Sequence, residues 1–337
     1  MAYKVAINGF GRIGRAVFRI AVERGMKEVE IVAINDLTSP ENLVYLLRYD
    51  SAHGPFAGKV ALKDGHLVVN GKQVKLFAER DPKKLPWKDL GVDVVVESTG
   101  AFTRKEDAAQ HLIAGAKKVI ITAPAKDEVD ATIVLGTNEQ VLDADKMIIS
   151  NASCTTNCAA PMCKAIDDAF GIEKAYMIAI HAYTGTQALV DGPQKKMRRG
   201  RAAAVNIIPT TTGAAKAVIE ALPHLAGKID AMAVRVPVVD GSLLALSAVV
   251  KKKTSAEAVN KALQAAAKGA LKGIMAYSDE ELVSSDIINS PYSVVIDGLS
   301  TQVIDGNLVE VFGWFDNEWG YSHRVVDLLE RVCPLTK

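Results

Sequence analysis

Short apolar runs alternate with longer amphipathic stretches through residues 1–150. The run Tyr3-Lys4-Val5-Ala6-Ile7-Asn8 is compact and apolar, which suits a strand buried on both faces. Behind it, Ile13, Val17, Ile20 and Ala21 recur at helical spacing and predict a helix over 12–25. Residues 29–34 predict the next strand, and further strands are expected at 92–96, 118–121, 132–135 and 147–149. A helix is expected at 104–114. This alternation implies a parallel sheet with helices on both faces.

The pattern changes after residue 150. Residues 155–169 predict a helix that Pro161 should bend or locally break. Longer strands are expected at 173–181, 231–238 and 243–251, then at 292–296 and 308–315, with a helix at 255–269. Residues 183–206 are polar, basic and glycine-containing, and predict a long ordered loop of the functional kind. A last helix is expected at 319–333. Two domains follow: 1–150, with 319–337 packing back on it, and 151–318.

Composition narrows the class. Of 337 residues, 49% are hydrophobic and 23% charged, ordinary for a soluble protein with two cores. The net charge of +1 supplies no field for nucleic acid or membrane, and no dedicated nucleic-acid module is visible. No secretory signal is expected, and no apolar run approaches the ~20 residues that span a bilayer. The four cysteines do not suggest a disulfide scaffold. Cys154, Cys158 and Cys163 cluster, but without the second ligand pair that zinc requires. A reducing, cytoplasmic location fits this usage.

The chemistry begins at Gly9-Phe10-Gly11-Arg12-Ile13-Gly14, a G-x-G-x-x-G turn between a predicted strand and a predicted helix. Gly9 permits the tight turn, Gly11 lets backbone approach a pyrophosphate, and Gly14 allows close helix–strand packing. The helix start would face the diphosphate. Asp36, ending the second strand, suits ribose hydroxyls and repels a 2′-phosphate, so NAD is expected over NADP. Residues 151–157, Asn-Ala-Ser-Cys-Thr-Thr-Asn, place Cys154 at a helix start among small hydrogen-bonding residues. A helix N-terminus or a nearby imidazolium lowers a thiol pKa from about 8.5. His181 ends a strand-like run and is the expected base. Cys158, one turn on, reads as a small buried residue. Thr210-Thr211-Thr212-Gly213 precedes an apolar helical run and resembles an anion cradle. Arg198, Arg199 and Arg201 crowd the long loop. Arg235 interrupts an apolar strand, where its charge needs a partner, either internal or a bound phosphate.

These blocks together resemble the phosphorylating glyceraldehyde-3-phosphate dehydrogenases. The resemblance runs over essentially the whole chain: INGFGRIGR at 7–15, NDL at 35–37, AERDP at 78–82, ESTG at 97–100, APAK at 123–126, SNASCTTNC at 150–158, TTTGAAKAV at 210–218, RVP at 235–237 and WFDNEWGYS at 314–322. It implies an α/β fold class: an N-terminal Rossmann dinucleotide-binding domain plus an α+β catalytic domain with a mixed, largely antiparallel sheet. It implies Cys154 as nucleophile and His181 as base. Gly9, Gly11, Arg12, Ile13, Gly14, Asp36, Arg80, Thr122 and Asn317 would serve NAD. Ser153, Thr155, Thr184, Arg199, Thr212, Gly213 and Arg235 would surround the substrate and two phosphate sites. The implied reaction converts glyceraldehyde 3-phosphate and inorganic phosphate to 1,3-bisphosphoglycerate, reducing NAD, in a homotetramer whose long loop lies against a neighbour's cofactor. Many bacterial members have Asn-Asp at Gly185-Thr186 and Leu at Gly192. The alternatives are an erythrose-4-phosphate dehydrogenase on the same scaffold and a catalytically silent NAD-binding interaction protein.

Overall fold

In the computed structural model, which describes residues 2–337, the first apolar run forms the strand Tyr3–Asn8, buried from Val5 onward. It lies inside a nine-stranded sheet. The spatial order is Val60–Lys63, His66–Val69, Lys72–Phe77, Val29–Asn35, Tyr3–Asn8, Val94–Glu97, Lys118–Ile121, Ile148–Ser150 and Ala131–Thr132. Every pairing from Lys72–Phe77 to the far edge is parallel. The first two strands join antiparallel. That edge was not legible as strand, because runs such as VALK and HLVV are too short to show a period. Parallel register sets Asn8 opposite both Asn35 and Glu97, so three polar residues end three buried neighbours at one level.

Several expected bounds shift. The 92–96 strand begins at Val94. The 104–114 helix is two short pieces, Lys105–Ala108 and Gln110–Ile113. Of 132–135 only Thr132 is in a strand, Ala131–Thr132. Ile133, Val134 and Leu135 are apolar because they are buried, not because they pair in a sheet.

The second sheet has seven strands, ordered Ile208–Thr210, Ile229–Val236, Ile172–Ala182, Ser242–Val250, Leu308–Phe315, Val294–Ile304 and Met275–Ser278. Its pairings are mixed and mostly antiparallel. The helix Cys154–Phe170 packs close to it, since Gly313 faces Met162 with no room for a Cβ. This helix runs through Pro161 without a break, correcting the expected interruption. Proline removes one N–H bond, and burial of Cys158–Cys163 keeps the surrounding turns in place.

The chain forms two compact units. One comprises the residues up to Ile133 with Gln140–Ala152 and Ser322–Lys337, and the other comprises Val134–Glu139 and Ser153–Tyr321. No helix among the described residues is long and apolar enough to cross a membrane.

Candidate active site

In the first unit the glycine turn follows Tyr3–Asn8 and opens the helix Arg12–Glu23. Gly9 holds φ +91°, and a Cβ there would strike Ser98 and Thr99 backbone. A Cβ on Gly14 would strike the Gly9 carbonyl oxygen. A Cβ on Gly11 would meet nothing within 4 Å, so the space above this residue is open. Gly11 is also the helix N-cap and has no side-chain cap. The helix start therefore keeps its N–H groups and positive dipole for an anion, and these residues fit a dinucleotide pyrophosphate. Asp36 is buttressed rather than free-swinging: one carboxylate oxygen accepts the Phe10 N–H (2.7 Å) and the other the Thr38 N–H (2.9 Å). Arg12 pairs with Asp50. Burial works against the Asp50 carboxylate, but Arg12 and the Ala52 and His53 N–H groups outweigh it and hold the pKa down to about 2. Ile13 is half-buried beside Arg12 and Arg80 is exposed. The Thr122 hydroxyl donates to the Glu97 carbonyl oxygen (3.1 Å).

In the second unit Ser153 caps the helix Cys154–Phe170, its hydroxyl accepting the Thr156 N–H at 3.0 Å. Cys154 is the first helical residue, half-buried, while Thr155, Thr156 and Asn157 are buried. The preceding Ala152 is fully buried with φ +53°, a left-handed conformation that costs a non-glycine residue about 1 kcal/mol or more. His181 ends the strand Ile172–Ala182, and its Nε2 lies 3.4 Å from Cys154 Sγ. Parallel pairing with Ile229–Val236 puts Arg235 directly beside His181. His181 Nδ1 lies 2.7 Å from the Ala182 carbonyl oxygen, which can only accept. Arg235 Nη1 donates to the same oxygen at 2.9 Å. Arg235 Nη1 also lies 2.8 Å from Nδ1, so Nδ1 meets one group that only accepts and one that only donates, and Nε2 is the ring nitrogen left facing the sulfur. Phe315 stacks edge-on to the ring, centroids 5.8 Å apart.

The electrostatics correct the expectation of a thiol lowered by its surroundings. Burial pushes the Cys154 thiol up to about 11, against the pull of Arg235 and of the Thr155 N–H and hydroxyl. Burial pushes His181 down to about 3, and the Arg235 charge acts in the same direction. Both shifts favour the neutral forms, so proton transfer from sulfur to Nε2 needs a bound reactant to take up the developing charge.

The basic groups stand near this pair. Burial lowers Arg235 to about 10, and its Nε is enclosed with no partner among the described residues. Arg199 donates from Nε to the Thr210 hydroxyl (3.0 Å), and its charge reaches both Arg235 and His181. Thr212 Oγ1 accepts the Ala214 N–H (3.2 Å) at the start of Ala214–Ala221, where Gly213 is the N-cap with open space around it. Thr184 bonds only locally, its hydroxyl to Thr186 and its N–H to Gln187. Asn317 is buried and accepts from Ser242 Oγ (2.6 Å), which in turn accepts the Ala182 N–H (3.0 Å). Ser242 was missed by sequence reasoning. It ties the His181 strand end to Asn317, and nothing about an isolated serine in GSLLALS announces that.

A chain with this dinucleotide turn and this thiol–imidazole pair falls in the class of nicotinamide-dependent oxidoreductases. Residues 3–105 match the family model for the glyceraldehyde 3-phosphate dehydrogenase NAD binding domain, and residues 153–317 match that for its C-terminal domain. The chain is 56% identical to glyceraldehyde-3-phosphate dehydrogenase of Geobacillus stearothermophilus over 99% of both chains. It is also 56% identical to glyceraldehyde-3-phosphate dehydrogenase 1 of Bacillus subtilis, over 99% of both, and to the Thermotoga maritima enzyme, over 98% of this chain and 99% of that one. The chain belongs to the glyceraldehyde-3-phosphate dehydrogenase family.

Two outcomes test this geometry. Alkylation of Cys154 in the unliganded protein should accelerate through the alkaline range, following ionisation toward about 11. Arg235→Gln removes a charge that favours the thiolate, so the midpoint should move higher still; a wild-type profile already flat below pH 8 would contradict the neutral pair. The second concerns stability. His181 folded refuses a proton that the unfolded chain, with an ordinary value of 6.5, accepts. Its contribution is full above pH 6.5 and is lost as pH falls toward about 3. The denaturation midpoint of His181→Asn should therefore fall less between pH 7 and 4 than that of wild type.

Proposed function

We propose that the chain oxidises glyceraldehyde 3-phosphate with NAD and inorganic phosphate to 1,3-bisphosphoglycerate, through a thioester on Cys154. The observation that carries this reading is the Sγ–Nε2 separation of 3.4 Å; in the proposed sequence Nε2 starts unprotonated. Cys154 attacks the aldehyde carbon as His181 takes the thiol proton. The S–C bond forms, and the aldehyde oxygen becomes the hydroxyl of a hemithioacetal. His181 passes the first proton on, then removes this hydroxyl proton and becomes imidazolium, held by the Ala182 carbonyl oxygen. Bound NAD supplies the acceptor for the hydride that leaves the same carbon. Sulfur keeps the resulting acyl group electrophilic, and phosphate oxygen attacks the thioester carbonyl and expels the Cys154 thiolate.

The polar groups divide between two anions. Arg235, with its enclosed and unpartnered Nε, and Arg199, held by Thr210, offer planar donor forks. Thr184, Thr212 and Gly213 offer hydroxyls and a helix-start N–H. Ser153 and Thr155 flank the thiol, and the Thr155 N–H and hydroxyl favour charge developing on sulfur. Gly9, Gly11, Arg12, Ile13, Gly14, Asp36, Arg80, Thr122 and Asn317 are assigned to NAD. In domain terms, residues 1–150 with the helix 319–337 serve the coenzyme and 151–318 serve the chemistry. A cytoplasmic homotetramer is proposed as the working form. Leu189, Val190, Met197, Val205 and Ile207, each more than 70% exposed on one segment, support burial of that segment by another copy.

NADH formation should require glyceraldehyde 3-phosphate, NAD and phosphate together, with erythrose 4-phosphate or NADP giving a much lower kcat/KM. A preference for erythrose 4-phosphate would overturn the substrate assignment. Cys154→Ser should abolish acylation while leaving NAD binding nearly intact, and His181→Asn should lower kcat by roughly 10²–10⁴-fold. Gly11→Ala should leave the melting temperature unchanged yet weaken NAD. Gly14→Ala should itself destabilise the fold by about 1–3 kcal/mol, measured by denaturant titration.

A further inference from the structure

Beneath the glycine turn, the first unit buries a polar network to which no role has been given. Asn8, Glu97 and His111 are each 0–1% exposed. The Glu97 carboxylate accepts four donors: Asn8 Nδ2 (2.6 Å) and His111 Nε2 (3.1 Å) on one oxygen, and the Thr99 N–H (2.8 Å) and Thr99 hydroxyl on the other. Trp87 Nε1 can only donate, and it lies 3.0 Å from His111 Nδ1. Nδ1 must therefore accept, so the imidazole proton sits on Nε2 and points at Glu97. The 3.3 Å approach of Asn8 Nδ2 to His111 Nε2 is then two donors converging on one carboxylate oxygen.

From this centre, hydrogen bonds reach the coenzyme residues of the unit. Asn8 Oδ1 accepts Asn35 Nδ2 (2.7 Å), and Asn35 immediately precedes Asp36. The Asn35 side chain also bonds the Glu79 N–H and carbonyl, next to Arg80. The Glu97 backbone carbonyl accepts from Thr122 N–H and hydroxyl. Ser98, the next residue, donates from Oγ to the Gly9 carbonyl (2.6 Å). The Glu97 carboxylate has no acceptor position left to touch a ligand, because its four donors all come from within the network.

We infer that Glu97 is a positioning residue for NAD: with His111 fixed by Trp87 it locks Asn8, Asn35 and Thr99, and with the adjoining Ser98 and its own backbone carbonyl it sets the glycine turn, Asp36 and Thr122 in one rigid frame. The inference rests on the coenzyme reading of this unit. Glu97→Gln brings two N–H groups to a place that needs four acceptor positions, so two donors are opposed and the frame loosens. Calorimetric titration of the full chain with NAD should give a dissociation constant raised about tenfold or more in Glu97→Gln, one hydrogen bond's worth of binding free energy. The loss should fall on KM for NAD rather than on kcat at saturation. The rate of Cys154 alkylation without NAD should be that of wild type. Thr99→Val, which removes a single donor, should weaken NAD in the same direction and serves if Glu97→Gln does not fold. Long-range proton–nitrogen NMR of the NAD-free wild type should show His111 as the Nε2–H tautomer. A folded Glu97→Gln or Thr99→Val that binds NAD with the wild-type constant would overturn the inference, as would an Nδ1–H tautomer at His111. Failure of the wild type to bind NAD would instead overturn the coenzyme reading.

Discussion

The parallel pairing of Ile172–Ala182 with Ile229–Val236 is the constraint on which the chemistry of the second unit depends. It sets an imidazole and a guanidinium at the same level of adjacent strands, with one backbone carbonyl within hydrogen-bond distance of both. That carbonyl and the guanidinium both engage Nδ1, and Nε2 is the nitrogen left facing sulfur. The guanidinium acts on both members of the pair: it favours negative charge on Cys154 and disfavours positive charge on His181. Burial opposes charge on each. The pair rests neutral, and charge develops only as a reacting group supplies somewhere for it to go.

The two units treat buried polarity in opposite ways. Around Glu97 four donors meet one carboxylate, and the result is a rigid frame. Around Arg235 one enclosed nitrogen has no acceptor, a cost of about 1–3 kcal/mol that a folded protein bears where a ligand will repay it. Saturation suits a frame, and deficiency suits a receptor. The contrast separates residues that hold other residues from residues that wait for an anion.

The sequence was informative where the physics is local. The glycine turn could be read because its three constraints fall within six residues, and the structure shows two kinds of surrounding: backbone against Gly9 and Gly14, open space at Gly11. The helix beginning at Cys154 was legible from the small hydrogen-bonding residues around it. The closeness of His181 to Arg235 was not, since it depends on a crossover and register that no spacing along the chain reveals. Nor was Glu97. Its partners come from strand ends that look ordinary one at a time, and the only trace is that Asn8, Asn35 and Glu97 each terminate an apolar run. Pro161 misled because local propensity was weighed without the burial that carries the helix across it.

Ala152 carries a consequence of another kind. Its left-handed backbone sits immediately before the cap of the thiol's helix, with no exposed surface. Whatever its third base, an alanine codon reaches only Val, Thr, Ser, Pro, Gly, Asp or Glu by a single nucleotide change. Pro cannot take a positive φ, Val and Thr are stiffly branched, and the acids and Ser bring polar atoms into a fully enclosed space. Glycine alone relieves the strain, and it does so by loosening the chain next to the nucleophile. One dihedral angle thus leaves this codon almost nowhere to drift.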